Sequence, residues 1–188
     1  MSPEEHRQFV ALLEQKPSLP FKGIIWHHSA TKDGKSHDIA AIRRYHKAFR
    51  IDGNIVTETE WIRRHNRAEG NYFQIPWSDV GYHLLLENRD GVLKWEFGRP
   101  FTEEGAHAGN LFNQSHLGFC LVGNFDVTPP DDESWKLCLE LTRIFMSRFE
   151  FPKKNILGHR EIYPILGQEV QKSCPGWAWD LDKFRHEL

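Results

Sequence analysis

Two side chains that can bind a transition metal stand on one irregular segment near the carboxyl end of the chain. His159 lies near its start, within residues 158–161, and Cys174 lies near its end, two positions after Lys172. Glycine and proline bound the segment, which predicts a surface loop of the kind where binding and catalytic groups concentrate. Zn²⁺ accepts imidazole and thiolate, and a catalytic zinc takes three protein ligands and leaves one position to water. His159 and Cys174 would supply two of these three ligands.

The third ligand has to come from a distant part of the chain, and His27 is the strongest candidate. It lies near the end of residues 23–28, a short apolar run that predicts a β-strand. Side chains alternate across a strand, so His27 and His28 face opposite sides and only one can readily face a given site. A lone histidine in a strand is usually structural. The assignment of His27 as a metal ligand therefore depends on the presence of two other candidate ligands, His159 and Cys174.

The other cysteines and several histidines receive structural or solvated roles. Cys120 and Cys138 fall within apolar stripes, where a buried cysteine behaves as a small hydrophobic residue, so we expect both in the core. Three cysteines without short paired spacing also argue against a secreted disulfide framework and favour reduced thiols. Five histidines fall on exposed or mixed positions and are expected to be solvated: His37, His46, His65, His116 and His186.

The composition limits the class of protein. The 188 residues fit one domain, in which folding buries roughly 70% of the surface that the unfolded chain exposes. A net charge of −2 provides no polycationic surface, so we expect neither a nucleic-acid partner nor an anionic membrane partner. No apolar run suits a signal peptide or a membrane span, which predicts a protein that is cytoplasmic as synthesised. We expect a monomer.

Helix signals occur at both ends of the chain and between the predicted strands. Ser2 as a cap, followed by Pro3 and Glu5, predicts a helix start within an N-terminal helix and linker over residues 1–20, with a break at 16–20. Spacing and capping residues predict three more helices: residues 38–49 behind Ser36 or Asp38, a helix capped by Asp131 or Asp132, and a last helix capped by Asp180.

Three further apolar segments predict a sheet around the first strand. Residues 80–87 and 92–97 flank the pair Asp90-Gly91, which is a strong signal for a β-hairpin. Residues 117–125 are almost continuously apolar, as expected of a buried central strand. The order of elements predicts an α/β fold in which helices flank a mixed central β-sheet, within a single domain over residues 1–188.

Residues 50–79 show no clear periodicity, and we interpret them as an insertion or long loop. Loops longer than about 15 residues are uncommon in compact domains and are usually functional or mobile. A loose, solvated excursion is the equal alternative. On either interpretation the segment makes few core contacts, and Trp61 and Trp77 lie outside the core.

Five sequence blocks in a fixed order carry a resemblance to a known family. The blocks are WHHSAT at 26–31, DVGYH at 79–83, GAHAGN at 105–110, GFCLVGNF at 118–125, and GHRE at 158–161 with KSCPG at 172–176. Together they resemble the zinc-dependent N-acetylmuramoyl-L-alanine amidases of type 2, which include phage lysozyme amidases and the peptidoglycan recognition proteins. The resemblance extends over nearly the whole chain.

This resemblance implies a fold, an activity and a set of site residues. It assigns His27, His159 and Cys174 as ligands of one zinc ion, Tyr82 and Lys172 as catalytic residues, and His107 as a substrate-binding residue. The implied fold is that of the peptidoglycan recognition proteins. The implied reaction is hydrolysis of the amide bond between N-acetylmuramic acid and L-alanine, in peptidoglycan or a muropeptide, during cell-wall degradation or lysis. A phage or prophage endolysin and a cytoplasmic recycling amidase both fit a chain without an export signal.

The chemistry of amide hydrolysis agrees with this assignment. Zinc provides a strong nucleophile at neutral pH by lowering the pKa of a bound water to about 7, and it polarises the carbonyl group. Tyr82 could donate or relay a proton, and the ammonium group of Lys172 could face the developing oxyanion.

Two alternatives remain open. A peptidoglycan-binding module of the same fold would bind without cutting, and the loss of a zinc ligand would mark it. A metal-free hydrolase would use Cys174 as its nucleophile, and chelation would leave it active.

Overall fold

The computed structural model describes residues 3–14, 19–31 and 38–188. Within those ranges, no helix combines the length and the apolar character that a membrane crossing requires. Several predicted features lie outside the described residues: the cap at Ser2, the first part of the break at 16–18, the alternative cap at Ser36, and the solvated His37.

The described part of the chain contains seven α-helices and eight β-strands. The helices are α1 (Pro3–Glu14), α2 (Ile39–His46), α3 (Glu58–Asn66), α4 (Asn110–Asn113), α5 (Asp132–Phe149), α6 (Ile162–Ile165) and α7 (Leu181–Glu187). The strands are β1 (Gly23–His28), β2 (Arg50–Ile51), β3 (Asn54–Ile55), β4 (Phe73–Gln74), β5 (Leu84–Arg89), β6 (Val92–Phe97), β7 (His116–Leu121) and β8 (Ile156–Gly158). Short 3₁₀ turns occupy Lys153–Asn155 and His159–Glu161.

The main sheet has five strands in the order β6-β5-β7-β1-β8. Strands β5, β7, β1 and β8 are parallel to one another, and β6 pairs antiparallel with β5, so the sheet is mixed as predicted. Strands β1 and β7 lie inside the sheet, and all their residues are buried, which explains their nearly continuous apolar sequences. The carboxyl ends of parallel strands lie at the same edge of a sheet. The residues at and just after the ends of β1 and β8 therefore lie close together.

The two faces of the sheet carry separate hydrophobic clusters. On one face, Trp26 packs with Phe119 of β7 and with Phe184 of α7. On the other face, Ile25 packs with residues of α4 and α6. Successive side chains of β1 therefore point into different layers, which places the His27 side chain on the face of Ile25.

Helix α5 and the terminal helix follow their sequence signals. The carboxylate of Asp131 accepts a hydrogen bond from the Ser134 amide at 2.8 Å, and that of Asp180 caps α7 in the same way through the Lys183 amide at 2.9 Å. Helix α5 buries Cys138 against the sheet, and Cys120 of β7 is equally inaccessible. The prediction that both cysteines lie in the core is confirmed.

The β5–β6 hairpin is also confirmed. Asp90 and Gly91 form its two-residue loop with φ angles of 53° and 79°, the left-handed geometry that twists correctly between two strands. The boundaries differ from the prediction. Strand β5 begins at Leu84, because residues 80–83 form the connection that approaches the site, and β7 ends at Leu121.

Residues 50–79 are not a long irregular loop, so that half of the interpretation is wrong, whereas their being an insertion stays a prediction. Strands β2, β3 and β4 form a three-stranded antiparallel sheet, and α3 lies between β3 and β4 in sequence. The Trp61 ring stacks on His65 at 4.6 Å and meets the Phe73 ring edge-on at 5.8 Å. The segment therefore has a small cluster of its own around Trp61.

Candidate metal centre and active site

Three side chains that could bind a metal ion meet at the carboxyl edge of the main sheet. His27 lies near the end of β1, and His159 directly follows β8, whose Gly158 is paired with Trp26. This register brings the two imidazole rings to a centroid distance of 4.7 Å. Cys174 reaches them from the loop after α6, and one ligand atom from each of the three residues lies within 4.8 Å of the others.

This geometry suits a tetrahedral metal ion. The Sγ atom of Cys174 and the Nδ1 atom of His27 are 3.5 Å apart, close to the separation of about 3.6 Å that usual zinc bond lengths give two ligands of one tetrahedron. His27 and His159 are buried, whereas Cys174 is partly exposed. Two imidazoles and one thiolate form a donor set that zinc accepts, and the partly open side leaves room for a fourth ligand.

Burial sets the protonation states of these groups. It lowers the pKa of His27 well below the ordinary value, and the nearby His159 and His107 rings lower it further. Burial, helped by the positive charge of Lys172, lowers the pKa of His159 to about 4. Burial raises the pKa of the Cys174 thiol to about 12. At neutral pH and without a metal ion, the site therefore consists of two neutral imidazoles and a protonated thiol.

Arg160 links the segment that contains Cys174 to its own segment, which contains His159. Its amide donates to the Cys174 carbonyl oxygen at 2.6 Å. Its guanidinium group donates to the carbonyl oxygens of Ser173 at 3.3 Å, Gly176, and Trp179 at 2.8 Å. One side chain therefore holds both flanks of the thiol ligand.

Two carboxylates stabilise the segments that contain His159 and Cys174. Glu161 accepts from the Gly158 amide at 2.8 Å and pairs with Arg185 through two hydrogen bonds of 2.8 and 2.9 Å. Asp126 accepts from the Ser173 hydroxyl at 2.8 Å. Arg160 and Glu161 stood inside a recognised sequence block, but their partners are distant in sequence, so the block alone did not reveal these roles.

A cleft of about 480 Å³ opens over the three ligands. The Tyr82 ring lies on its wall, with its centroid 5.1 Å from that of His27. Burial raises the pKa of Tyr82 well above its ordinary value, so its hydroxyl group stays protonated and can act as a donor. Lys172 is exposed at the rim, where its charge lowers the pKa of both histidine ligands.

The chain matches a family model over most of its length. The model is that of N-acetylmuramoyl-L-alanine amidase, and it covers residues 17–177. The chain belongs to this family. The membership agrees with the type 2 amidase and peptidoglycan recognition protein resemblance drawn from the sequence blocks.

Curated relatives of this amidase-family chain include animal peptidoglycan recognition proteins. Peptidoglycan recognition protein 1 of Bos taurus is 30% identical over 104 residues, which are 54% of this chain and 53% of that protein. Peptidoglycan-recognition protein SD of Drosophila simulans is 31% identical over 110 residues, which are 55% of this chain and 57% of that protein. The matched segment thus spans about half the length of these relatives.

Solved structures share the fold over more of the chain. The N-acetylmuramoyl-L-alanine amidase LysC of Clostridium intestinale superposes with a TM-score of 0.56 at 19% identity, over 90% of this chain and 86% of that chain. Drosophila peptidoglycan recognition protein SD gives a TM-score of 0.53 at 21% identity, over 88% of this chain and 79% of that one. The predicted fold class is confirmed.

His28 lies apart from the three ligands in this amidase-family fold. Its Nδ1 atom accepts a hydrogen bond from the Phe125 amide at 3.2 Å, on the other side of β1 from the His27 ring. Alternation along the strand therefore separates the two neighbouring histidines as expected, and only His27 joins the group of possible metal ligands.

Two histidines that were predicted to be solvated have structural partners instead. His46 lines the cleft beside Trp77 and Tyr82, and its Nδ1 atom accepts from the Gly81 amide at 3.1 Å. Burial, together with the charge of Arg50, lowers the pKa of His46 to about 4. His116 is buried within β7. Both predictions were wrong, although the place of His46 on the apolar stripe of α2 was a usable signal. His65 and His186 are exposed as predicted.

His107 directly contacts His27, one of the three candidate metal ligands. Its Nδ1 atom lies 3.0 Å from Nε2 of His27, and its Nε2 atom lies 3.2 Å from the carbonyl oxygen of His116. His107 also lines the cleft. The structure thus brings all six residues of the sequence-based assignment around one cleft, with His107 immediately behind His27.

Proposed function

We propose that this protein is a zinc-dependent peptidoglycan amidase that hydrolyses the bond between N-acetylmuramic acid and L-alanine. The observation that carries the proposal is the meeting of His27, His159 and Cys174 within 4.8 Å at the base of an open cleft. A binding module without activity has no need for three converging metal ligands. Family membership supplies the class of substrate.

The three ligands would hold one zinc ion, which would activate a water molecule and polarise the scissile carbonyl group. His27 and His159 would bind it as neutral imidazoles, and Cys174 would have to give up its proton to bind as a thiolate. The formal charge of the loaded site is then +1, which preserves the acidity that the reaction requires.

Tyr82 and Lys172 supply the remaining charge and proton chemistry. The Tyr82 hydroxyl, kept protonated by burial, donates a hydrogen bond towards the carbonyl oxygen as negative charge develops on it. Lys172 adds a positive charge to the cleft that Cys174 also lines. A tyrosine hydroxyl and a lysine ammonium are not among the usual zinc ligands, so their roles are separable from metal binding.

The cleft walls suit a muropeptide. Trp77 and His46, with ring centroids 4.7 Å apart, form an aromatic side wall over which sugar and peptide groups can pack. One structural neighbour, a Drosophila PGRP-LB variant, was solved in complex with tracheal cytotoxin. We extend that type of ligand to this chain and place its action in cell-wall degradation, on intact wall or on released muropeptides.

Metal analysis followed by digestion of purified peptidoglycan tests this function. We expect about one zinc per chain, loss of activity on chelation, and recovery when Zn²⁺ is added back. The products should carry new amino termini on alanine without new reducing sugar ends. Full activity in metal-free protein would favour the thiol hydrolase, and new reducing ends would identify a glycosidase. Tight muropeptide binding without cleavage would identify a recognition module. Parallel assays on intact wall and soluble muropeptide would show which substrate is preferred.

A further inference from the structure

The His107 ring lies in a narrow slot behind His27. A Cβ atom added at Gly105 would lie 2.3 Å from Cδ2 of this ring, and one added at Gly118 would lie 2.4 Å from the same atom. Contacts this short do not occur between real atoms, so only glycine at both positions leaves room for the imidazole. Gly105 and Gly118 therefore lie against the His107 ring and leave the space that it occupies.

The main chain around His107 is also fixed. The side-chain oxygen of Asn113 accepts from the amides of His107 at 2.9 Å and Ala108 at 2.8 Å. Both ring nitrogens have partners as well, Nδ1 with His27 and Nε2 with the His116 carbonyl oxygen. The ring therefore has no free nitrogen with which to bind a substrate.

The hydrogen-bond chain determines which nitrogen carries each proton. A carbonyl oxygen can only accept, so Nε2 of His107 must donate to His116, and in the neutral ring Nδ1 is left as an acceptor. Nε2 of His27 must then be the donor in the 3.0 Å contact. His27 consequently carries its proton on Nε2, and its Nδ1 lone pair points towards Cys174 and the metal position.

We infer that His107 is a positioning residue that fixes the tautomer and orientation of His27, and thereby prepares Nδ1 of His27 to bind the metal ion. The inference rests on the zinc site of the proposed function. Metal-bound histidines usually donate their second N–H to a carboxylate, a carbonyl oxygen or water. Here a neutral imidazole relays that interaction to the β7 main chain, so the ligand is oriented without adding negative charge beside the metal.

Two substitutions of His107 separate positioning from a merely structural role. His107→Phe keeps a flat ring but removes the acceptor, whereas His107→Asn keeps an oxygen acceptor near the Nδ1 position. Zinc dissociation constants, measured by competition with a chelator, should rise about 10- to 100-fold in His107→Phe. The rise should be only a few-fold in His107→Asn. His186→Phe, which alters an exposed histidine of α7, serves as the control and should leave zinc affinity unchanged.

Nitrogen NMR of the metal-free wild-type protein reads the tautomer directly. We expect His27 to be protonated at Nε2 and not at Nδ1, and this measurement does not depend on whether any variant folds. A proton on Nδ1 of His27, or equal zinc affinity in wild type and His107→Phe, would overturn the inference. Unchanged zinc affinity with a raised KM in His107→Phe would instead make His107 a substrate contact. Failure of the wild-type protein to bind zinc would refute the proposed function, and the tautomer would still decide the positioning role.

Discussion

Zinc binding should release about one proton from this protein near pH 6. The three ligands differ in their metal-free protonation, because burial lowers the pKa of His159 to about 4 and raises that of Cys174 to about 12. Burial also lowers the pKa of His27 well below its ordinary value. Near pH 6 both imidazoles are therefore already deprotonated, and only the thiol proton must leave when the metal enters.

The sign and size of the pH effect follow from this count. Protons compete with zinc for the sulfur atom of Cys174. A higher pH lowers the proton concentration and therefore strengthens zinc binding. One released proton corresponds to about a tenfold gain in affinity per pH unit, or about 1.4 kcal/mol. Between pH 5.5 and 6.5 the zinc dissociation constant should therefore fall about tenfold.

Calorimetric zinc titrations in two buffers with different ionisation enthalpies count the proton directly. Cys138→Ala, which changes a buried thiol within the stripe of α5, should release the same number of protons as the wild type. Cys174→Ser should bind zinc more weakly and release fewer. A count near zero in the wild type would mean that Cys174 is already a thiolate. A count near two would mean that a ligand imidazole is protonated before the metal arrives, and either result would refute the reasoning.

Four further predictions concern the site and the small sheet. His27→Ala should lose zinc and His28→Ala should keep it, as measured by metal analysis of the folded variants; equal loss would show that the wrong histidine was chosen. Tyr82→Phe should retain about one zinc while turnover on peptidoglycan falls. Lys172→Ala should lower kcat about a hundredfold to a thousandfold with little change in KM, whereas a raised KM alone would make it a substrate contact. Trp61→Ala should weaken protection against hydrogen exchange in β2–β4 by about 2 kcal/mol without changing zinc content, and loss of zinc would show that the small sheet supports the site.

Long, regular elements were readable from the sequence because their local pattern and their burial agree. Strand β1 is buried on both faces, and its nearly continuous apolar sequence indicates this burial. The Asp90-Gly91 loop requires a left-handed backbone, and Asp-Gly is a residue pair that favours this conformation. Helix α5 shows both a capping aspartate and a sustained apolar stripe.

The segment 50–79 was unreadable for an equally physical reason. Strands β2, β3 and β4 contain two residues each, which is too short for alternation to be visible. Helix α3 buries none of its residues fully, so it lacks an apolar stripe. Part of its order comes from local contacts, a capping threonine and the pair of Glu60 with Arg64. The rest comes from the packing of the Trp61 ring on Phe49 and Phe73, which is tertiary.

The candidate ligands could be proposed from residue types and blocks, but their supporting contacts could not. The pairing of His27 with His107 joins residues 80 positions apart, and the ring of His46 reaches the cleft only because α2 packs beside it. No local pattern encodes such contacts. Sequence blocks point to the candidate residues, whereas the structure shows what each one contacts.

The fastening of the thiol loop by Arg160 has an evolutionary consequence. Because a guanidinium group and main-chain carbonyl oxygens close this loop, its closure does not depend on the metal ion. Small zinc modules that fold only around their metal cannot lose a ligand and keep their shape. In this architecture the scaffold and the catalyst are uncoupled, so replacement of Cys174 alone would leave an intact cleft. Under the proposed function, a single substitution at Cys174 would then turn a cleaving enzyme into a module that binds wall fragments without cutting them.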